Sequence, residues 1–168
     1  MAVWEFIKVV IISVAIVLPI RTYIAQPFIV SGASMEPNFD NGEYLIIDEL
    51  TYQFRKPQRG EVIVFRYPFN PSSFFIKRIV GLSGESVNIK SNKISIDGKP
   101  LAEPYLDSKL ETAPEIDITL KDGEYFVLGD NRTHSSDSRF WGALPKNKIM
   151  GRALLRLWPI NKVGILYE

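Results

Sequence analysis

Residues 74–80 read Phe-Phe-Ile-Lys-Arg-Ile-Val, and this stretch decides the fold. Five of its seven residues are aromatic or β-branched, and Pro71 and Gly81 bound it, which is the signature of a short strand. Outward from it, residues 44–47 (YLII), 61–66 (EVIVFR), 86–89 (SVNI) and 125–128 (YFVL) repeat that texture, separated by Gly, Pro, Asn and Asp. Residues 93–101 (KISIDGKPL) alternate and contain Asp97-Gly98, a strong hairpin signal. Beyond the N-terminal segment, no stretch longer than about ten residues has helical periodicity. The expected fold is mainly β, an antiparallel barrel or a pair of packed sheets. Residues 101–120, with Pro104, Pro114 and many acids, read as part of a looser excursion around 90–122.

The N-terminal segment has a different texture. Residues 9–20, VVIISVAIVLPI, carry no charge and one hydroxyl. Alone they are short of the roughly 20 residues that a span needs. Extension from Trp4 to Ile24 reaches that length and leaves Glu5, Lys8 and Arg21 near the ends, with Trp4 and Tyr23 at the interfacial positions. A transmembrane anchor over residues 1–25 is therefore expected, followed by a β-rich domain over 26–168. A cleaved signal peptide is the alternative, but its cut near Tyr23-Ile24-Ala25 would put a bulky Tyr where a small residue is needed. A buried or interfacial helix is the other. Lys8 and Arg21 flank the run on opposite sides, so orientation is weakly specified.

Composition narrows the chemistry. The 168 residues hold 20 Lys+Arg and 19 Asp+Glu, a net charge of +1, so no global attraction to nucleic acid is expected. There is no Cys, which excludes disulfides, Fe–S clusters and thiolate zinc sites. The single histidine, His134, nearly excludes histidine-based metal sites, and any Ser-His-Asp triad would have to use it.

Three segments could carry chemistry. Residues 31–37, Ser-Gly-Ala-Ser-Met-Glu-Pro, would expose Ser34 at a turn of small residues; serines in such turns are usually turn residues only. In residues 76–81, strand alternation puts Lys77 on one face with Phe75 and Ile79 if Arg78 faces solvent. Desolvation there lowers a lysine's pKa and frees it to take a proton from a hydroxyl; the plain alternative is a solvated edge lysine. Residues 129–139, GDNRTHSSDSR, pack turn formers, charges and hydroxyls as a loop buttressing a site would, or as any solvated loop would. Asn131-Arg132-Thr133 also fits a glycosylation pattern.

Taken together, an apolar anchor, then SGASMEP, FIKRIVG and GDNRTHSSDSRFWG, in that order and spacing, resemble the bacterial type I signal peptidases, membrane-bound serine proteases with a Ser/Lys dyad. By motif position the resemblance implies Ser34 as nucleophile and Lys77 as general base. It implies Ser135 as the hydroxyl that orients Lys77, Asp137 with Arg139 as an ion pair behind the site, and Asp130 with Arg132 in the same polar support. The oxyanion donor would be the Ser34 backbone N–H; the serine that some members carry two residues earlier is here Gly32. Phe28, Val30, Met35, Phe39, Phe75 and Ile76 would wall two shallow pockets for the substrate residues one and three before the cut.

The resemblance further implies a coiled antiparallel β fold and acyl-enzyme chemistry without metal or coenzyme. The cut falls after an Ala-x-Ala-like site. The implied partners are signal peptides of exported preproteins, the lipid bilayer and a nearby export translocon. The implied topology is single-pass in the cytoplasmic membrane, with the catalytic domain on the outer face. A Ser/Lys self-cleaving repressor-type protease and a membrane-tethered β binding module are the rival readings.

Overall fold

The computed structural model describes residues 2–19, 25–107 and 110–166. In chain order the elements are α1 (Ala2–Pro19), β1 (Ala25–Ile29), β2 (Tyr44–Asp48), α2 (Thr51–Phe54), β3 (Val62–Tyr67), β4 (Asn70–Gly81), β5 (Ser86–Lys90), β6 (Lys93–Ile96), β7 (Lys99–Pro100), β8 (Ile116–Thr119), β9 (Glu124–Leu128), α3 (Ser138–Trp141), β10 (Leu144–Pro145), β11 (Ile149–Trp158) and β12 (Gly164–Ile165). The fold is mainly β and every strand pair is antiparallel. One sheet runs β1-β2-β11-β3-β4-β9-β10 with β12 on β11; the other runs β7-β6-β5-β8.

The centre of the large sheet explains its sequence. Val62 and Val64 of β3 enter one core cluster with Val30, Met35, Leu45, Ile47 and Ile76. Ile63 and Phe65, on the opposite face, enter another with Ile79, Tyr125, Val127 and Leu144. A strand covered on both faces has no need of a polar alternate, so β3 stays apolar until Arg66. Each such side chain contributes about 1.5–3 kcal/mol by leaving water. A third cluster, Val80, Val87, Ile89, Ile94, Ile96, Leu120, Phe126 and Leu128, ties the small sheet to β4 and β9. The Asp97-Gly98 turn joins β6 to β7.

β4 is longer than residues 74–80 suggest, starting at Asn70. Pro71 conceals its first turn of strand, because proline gives no ladder hydrogen bond; it is tolerated where the arm is exposed.

Helix α1 stands apart from both sheets: residues 3–15 are all exposed. Of the expected span, Ile20, Arg21, Tyr23 and Ile24 lie outside the described residues, as does most of the alternative cleavage site. Among the described residues no helix is long and apolar enough to cross a membrane.

Candidate active site

The turn after β1 presents Ser34. Met35, fully buried in the core, pins that turn from beneath. The Phe39 N–H donates to the Met35 carbonyl (2.9 Å) and Val30 exchanges backbone bonds with Gly42 and Glu43 (2.8 and 2.9 Å), closing the loop. Gly32 has φ +91°, a left-handed conformation that strains any residue with a Cβ. Its N–H donates to Asn41 Oδ1 (2.9 Å).

Lys77, in the middle of β4 and 4% exposed, meets Ser34 across the turn. Its Nζ donates to Ser34 Oγ (2.7 Å) and to the Ile76 carbonyl (2.8 Å), and lies 5.4 Å from the Phe75 ring centre. Burial pushes the Lys77 pKa down to about 8, against an opposing pull from the Asp137 and Asp130 carboxylates. Desolvation is the larger influence because an ammonium loses its water there.

Arg78 overturns one expectation: it does not face solvent. It is 5% exposed and forms a two-pronged pair with Asp130, Nε to Oδ1 (2.9 Å) and Nη2 to Oδ2 (2.8 Å), while Nη1 donates to the Gly60 carbonyl (2.7 Å). Asn38 Nδ2 adds a third bond to Asp130 (2.8 Å). A buried guanidinium needs a carboxylate within reach, and the loop after β9 supplies it.

The same loop carries Asp137, fully buried, which accepts from Arg139 Nε and Nη2 (both 2.8 Å) and from the Gly129 N–H (3.0 Å). Arg139 also donates to the Arg132 and Ala113 carbonyls (both 2.6 Å). The structure thus joins Asp137 to Arg139. It gives Asp130 and Arg132 separate partners: Arg132 pairs with Glu103 and donates to Thr112 Oγ1 (2.7 Å).

Ser135 is the second correction. Its hydroxyl is buried but, among the described residues, makes no hydrogen bond to Lys77 or to any other group. It packs over Gly129, where a Cβ would collide with it and stand 2.5 Å from the Ser34 carbonyl oxygen. The two Lys77 bonds go elsewhere, to Ser34 and to the main chain. Gly129 is therefore the residue that lets the loop close on the Ser34 turn.

The six apolar candidates divide. Phe28, Val30, Met35, Phe39 and Ile76 gather in one cluster, four of them buried and Phe28 partly so. Phe75 packs with the other face, stacked on Tyr67 at 4.6 Å. Phe39 also lines a cavity of about 560 Å³ with Asn38, Arg78, Tyr105 and Arg156. His134 is exposed and contacts Thr133 Oγ1 (2.9 Å) and Asn131 Oδ1 (3.3 Å), not Ser34. No group of three or more His, Asp or Glu among the described residues could hold a metal ion.

Sequence reasoning missed Asn131, which holds the Ser34 turn through its side chain (Nδ2 to the Ala33 carbonyl, 3.0 Å) and its backbone (N–H to the Ser34 carbonyl, 3.1 Å). It also missed Asn38, Asn41 and Glu103. Only Arg78 left a signal, as a charge inside an apolar strand run. What the site can do chemically is direct: a half-buried hydroxyl sits within one hydrogen bond of a lysine poised to lose its proton.

A family model described as signal peptidase, peptidase S26, matches residues 3–158. The chain is 40% identical over 172 residues to the signal peptidase I of Leptolyngbya laminosa, covering 96% of this chain and 83% of that protein. It is 37% identical over 175 residues to "Probable signal peptidase I-2" of Synechocystis sp., covering 98% and 77%. The crystal structure of a signal peptidase I from Enterococcus faecalis superposes with a TM-score of 0.52 at 32% identity, over 58% of this chain and 97% of that one.

Proposed function

The chain belongs to the signal peptidase family, peptidase S26, and on that premise we propose that Ser34 and Lys77 carry its reaction. It is a serine endopeptidase that removes signal peptides from preproteins, as its signal peptidase I relatives do. Family membership sets aside the repressor-type and binding-module readings. The observation that carries the chemistry is the 2.7 Å contact between Lys77 Nζ and Ser34 Oγ on a buried lysine.

Neutral Lys77 takes the Ser34 proton as Oγ attacks the scissile carbonyl, and an acyl-enzyme forms. Lys77 passes that proton to the leaving amine as the peptide bond breaks, then draws one from the attacking water and returns it to Ser34 Oγ as the acyl bond breaks. The Ser34 backbone N–H receives the developing oxyanion; one such donor is worth about 10²–10³ in rate. Gly32 offers no hydroxyl, and its N–H is committed to Asn41. Asp137–Arg139 and Arg78–Asp130 hold the loop and strand around the pair, while Arg132 braces the loop through Glu103.

The substrate lies extended beside the site and admits Ala one and three residues before the cut. Phe28, Val30, Met35, Phe39, Ile76 and Phe75 wall the two pockets; bulk is refused by steric clash. Residues 1–25 anchor the chain in the cytoplasmic membrane, with residues 26–168 as the peptidase domain on the outer face, near the export translocon. The exposure of residues 3–15 of α1, every one of them, supports this. So does the exposed cross-strand row Ile29, Tyr44 and Trp158 on β1, β2 and β11.

The test is to incubate the detergent-solubilised chain with a preprotein and sequence the new N-terminus. Wild type should cut after the Ala-x-Ala site, Ser34→Ala and Lys77→Arg should not, and Phe in place of the Ala before the cut should block it. A Lys77→Arg enzyme near wild-type rate would refute the base, because a guanidinium stays protonated.

A further inference from the structure

We propose that Asn131 is the positioning residue of the oxyanion donor, holding the Ala33–Ser34 peptide plane so that the Ser34 N–H faces the reacting carbonyl. The inference rests on Ser34 being the nucleophile. In a planar trans peptide the carbonyl and the N–H point in opposite directions. A hydrogen bond that fixes the Ala33 carbonyl therefore also fixes where the Ser34 N–H points. Asn131 Nδ2 makes that bond at 3.0 Å, and the Asn131 N–H holds the next carbonyl, that of Ser34, at 3.1 Å. The peptide planes on both sides of Ser34 are thus held by one residue.

Asn131 is itself held. Asp130 before it is locked to Arg78, and Asn131 Oδ1 accepts from Thr133 Oγ1 (3.2 Å) with His134 Nδ1 at 3.3 Å. Ala33's carbonyl can only accept, so the amide must present nitrogen to it and oxygen to Thr133. At the other end of the turn, Asn41 holds the Gly32 N–H. With no side-chain donor at Gly32, the aim of the Ser34 N–H matters more here than where a serine hydroxyl shares the load.

The test compares wild type, Asn131→Ala, Asn131→Asp and Ser34→Ala in the preprotein assay, with KM, kcat, pH profile and melting temperature for each. Asn131→Ala should lose about 10–100-fold in kcat, below the cost of removing an oxyanion donor outright. KM and the midpoint of the pH profile should not move, because Lys77 is untouched. Asn131→Asp keeps the size and the acceptor but turns an oxygen toward the Ala33 carbonyl, so it should lose at least as much as Ala. It also carries the test if the Ala variant does not fold. A wild-type kcat in either variant, a loss in the Ala variant carried by KM or by a shifted pH midpoint, or an Asp variant milder than Ala overturns the assignment. Processing that survives Ser34→Ala would instead remove the premise, and the two failures are distinct.

Discussion

At Lys77 the same burial that suits the proposed role as base weakens the fold, and pH separates the two effects. With its pKa lowered to about 8 from 10.5, Lys77 is protonated below about pH 8 and cannot act as a base, so activity should rise with pH through about 8. Between that value and 10.5 the unfolded chain holds a proton that the folded chain has lost, so stability rises with pH across this window. Below it the full cost of burying the charge is present, on the order of 3 kcal/mol. Lys77→Met should therefore be inactive yet melt higher than wild type at pH 7, with the gap narrowing toward pH 10. Thermal unfolding followed by circular dichroism at both pH values checks this; a gap independent of pH would place the titration elsewhere. Ser34 and Lys77 came to notice only through the order and spacing of three motifs taken together, since each motif alone reads as an ordinary turn or an edge lysine. Asn131 did not, because its role is set by which carbonyls it reaches across 98 residues, and no local pattern encodes that.

β4 does two jobs through strand alternation, with Lys77 on one face and Arg78 on the other. Its strand character was legible from aromatic and β-branched content, as was that of β2, β3, β5 and β9. The fate of Arg78 was not: a charge in an apolar run reads as solvent-facing, whereas here a carboxylate distant in sequence covers it. The Arg78–Asp130 pair staples β4 to the loop after β9, with both side chains buried. Asp130→Ala should take the carboxylate away from a buried guanidinium and cost about 3–5 kcal/mol, read as a shift of the urea unfolding midpoint. Asp130→Asn, which still accepts one bond, should cost less. Equal costs for the two would mean that the bond Asn retains contributes nothing, and an Asn variant as stable as wild type would mean that charge is irrelevant to the staple.

For the molecule as a whole, the two sheets close their cores without α1. A chain beginning at residue 25 should keep the wild-type melting temperature and still cut a detergent-solubilised preprotein, while losing its sedimentation with membrane vesicles. A large fall in melting temperature would mean that α1 packs on the sheets after all. The sheet pairing order, unlike the strands, could not be read in advance, since β2 and β11 pair across 104 residues between Asp48 and Arg152. The short run between α1 and Ser34 has its own consequence. From Pro19 to Ser34 there are fifteen peptide steps, a leash that can reach no further than about 50 Å. On the proposed anchoring, the serine searches a thin layer above the bilayer rather than a volume. A substrate tethered in that same layer meets it at a high effective concentration, while one released into bulk water is out of reach. Weak pockets for two alanines are then sufficient, because geometry has already chosen which chains arrive.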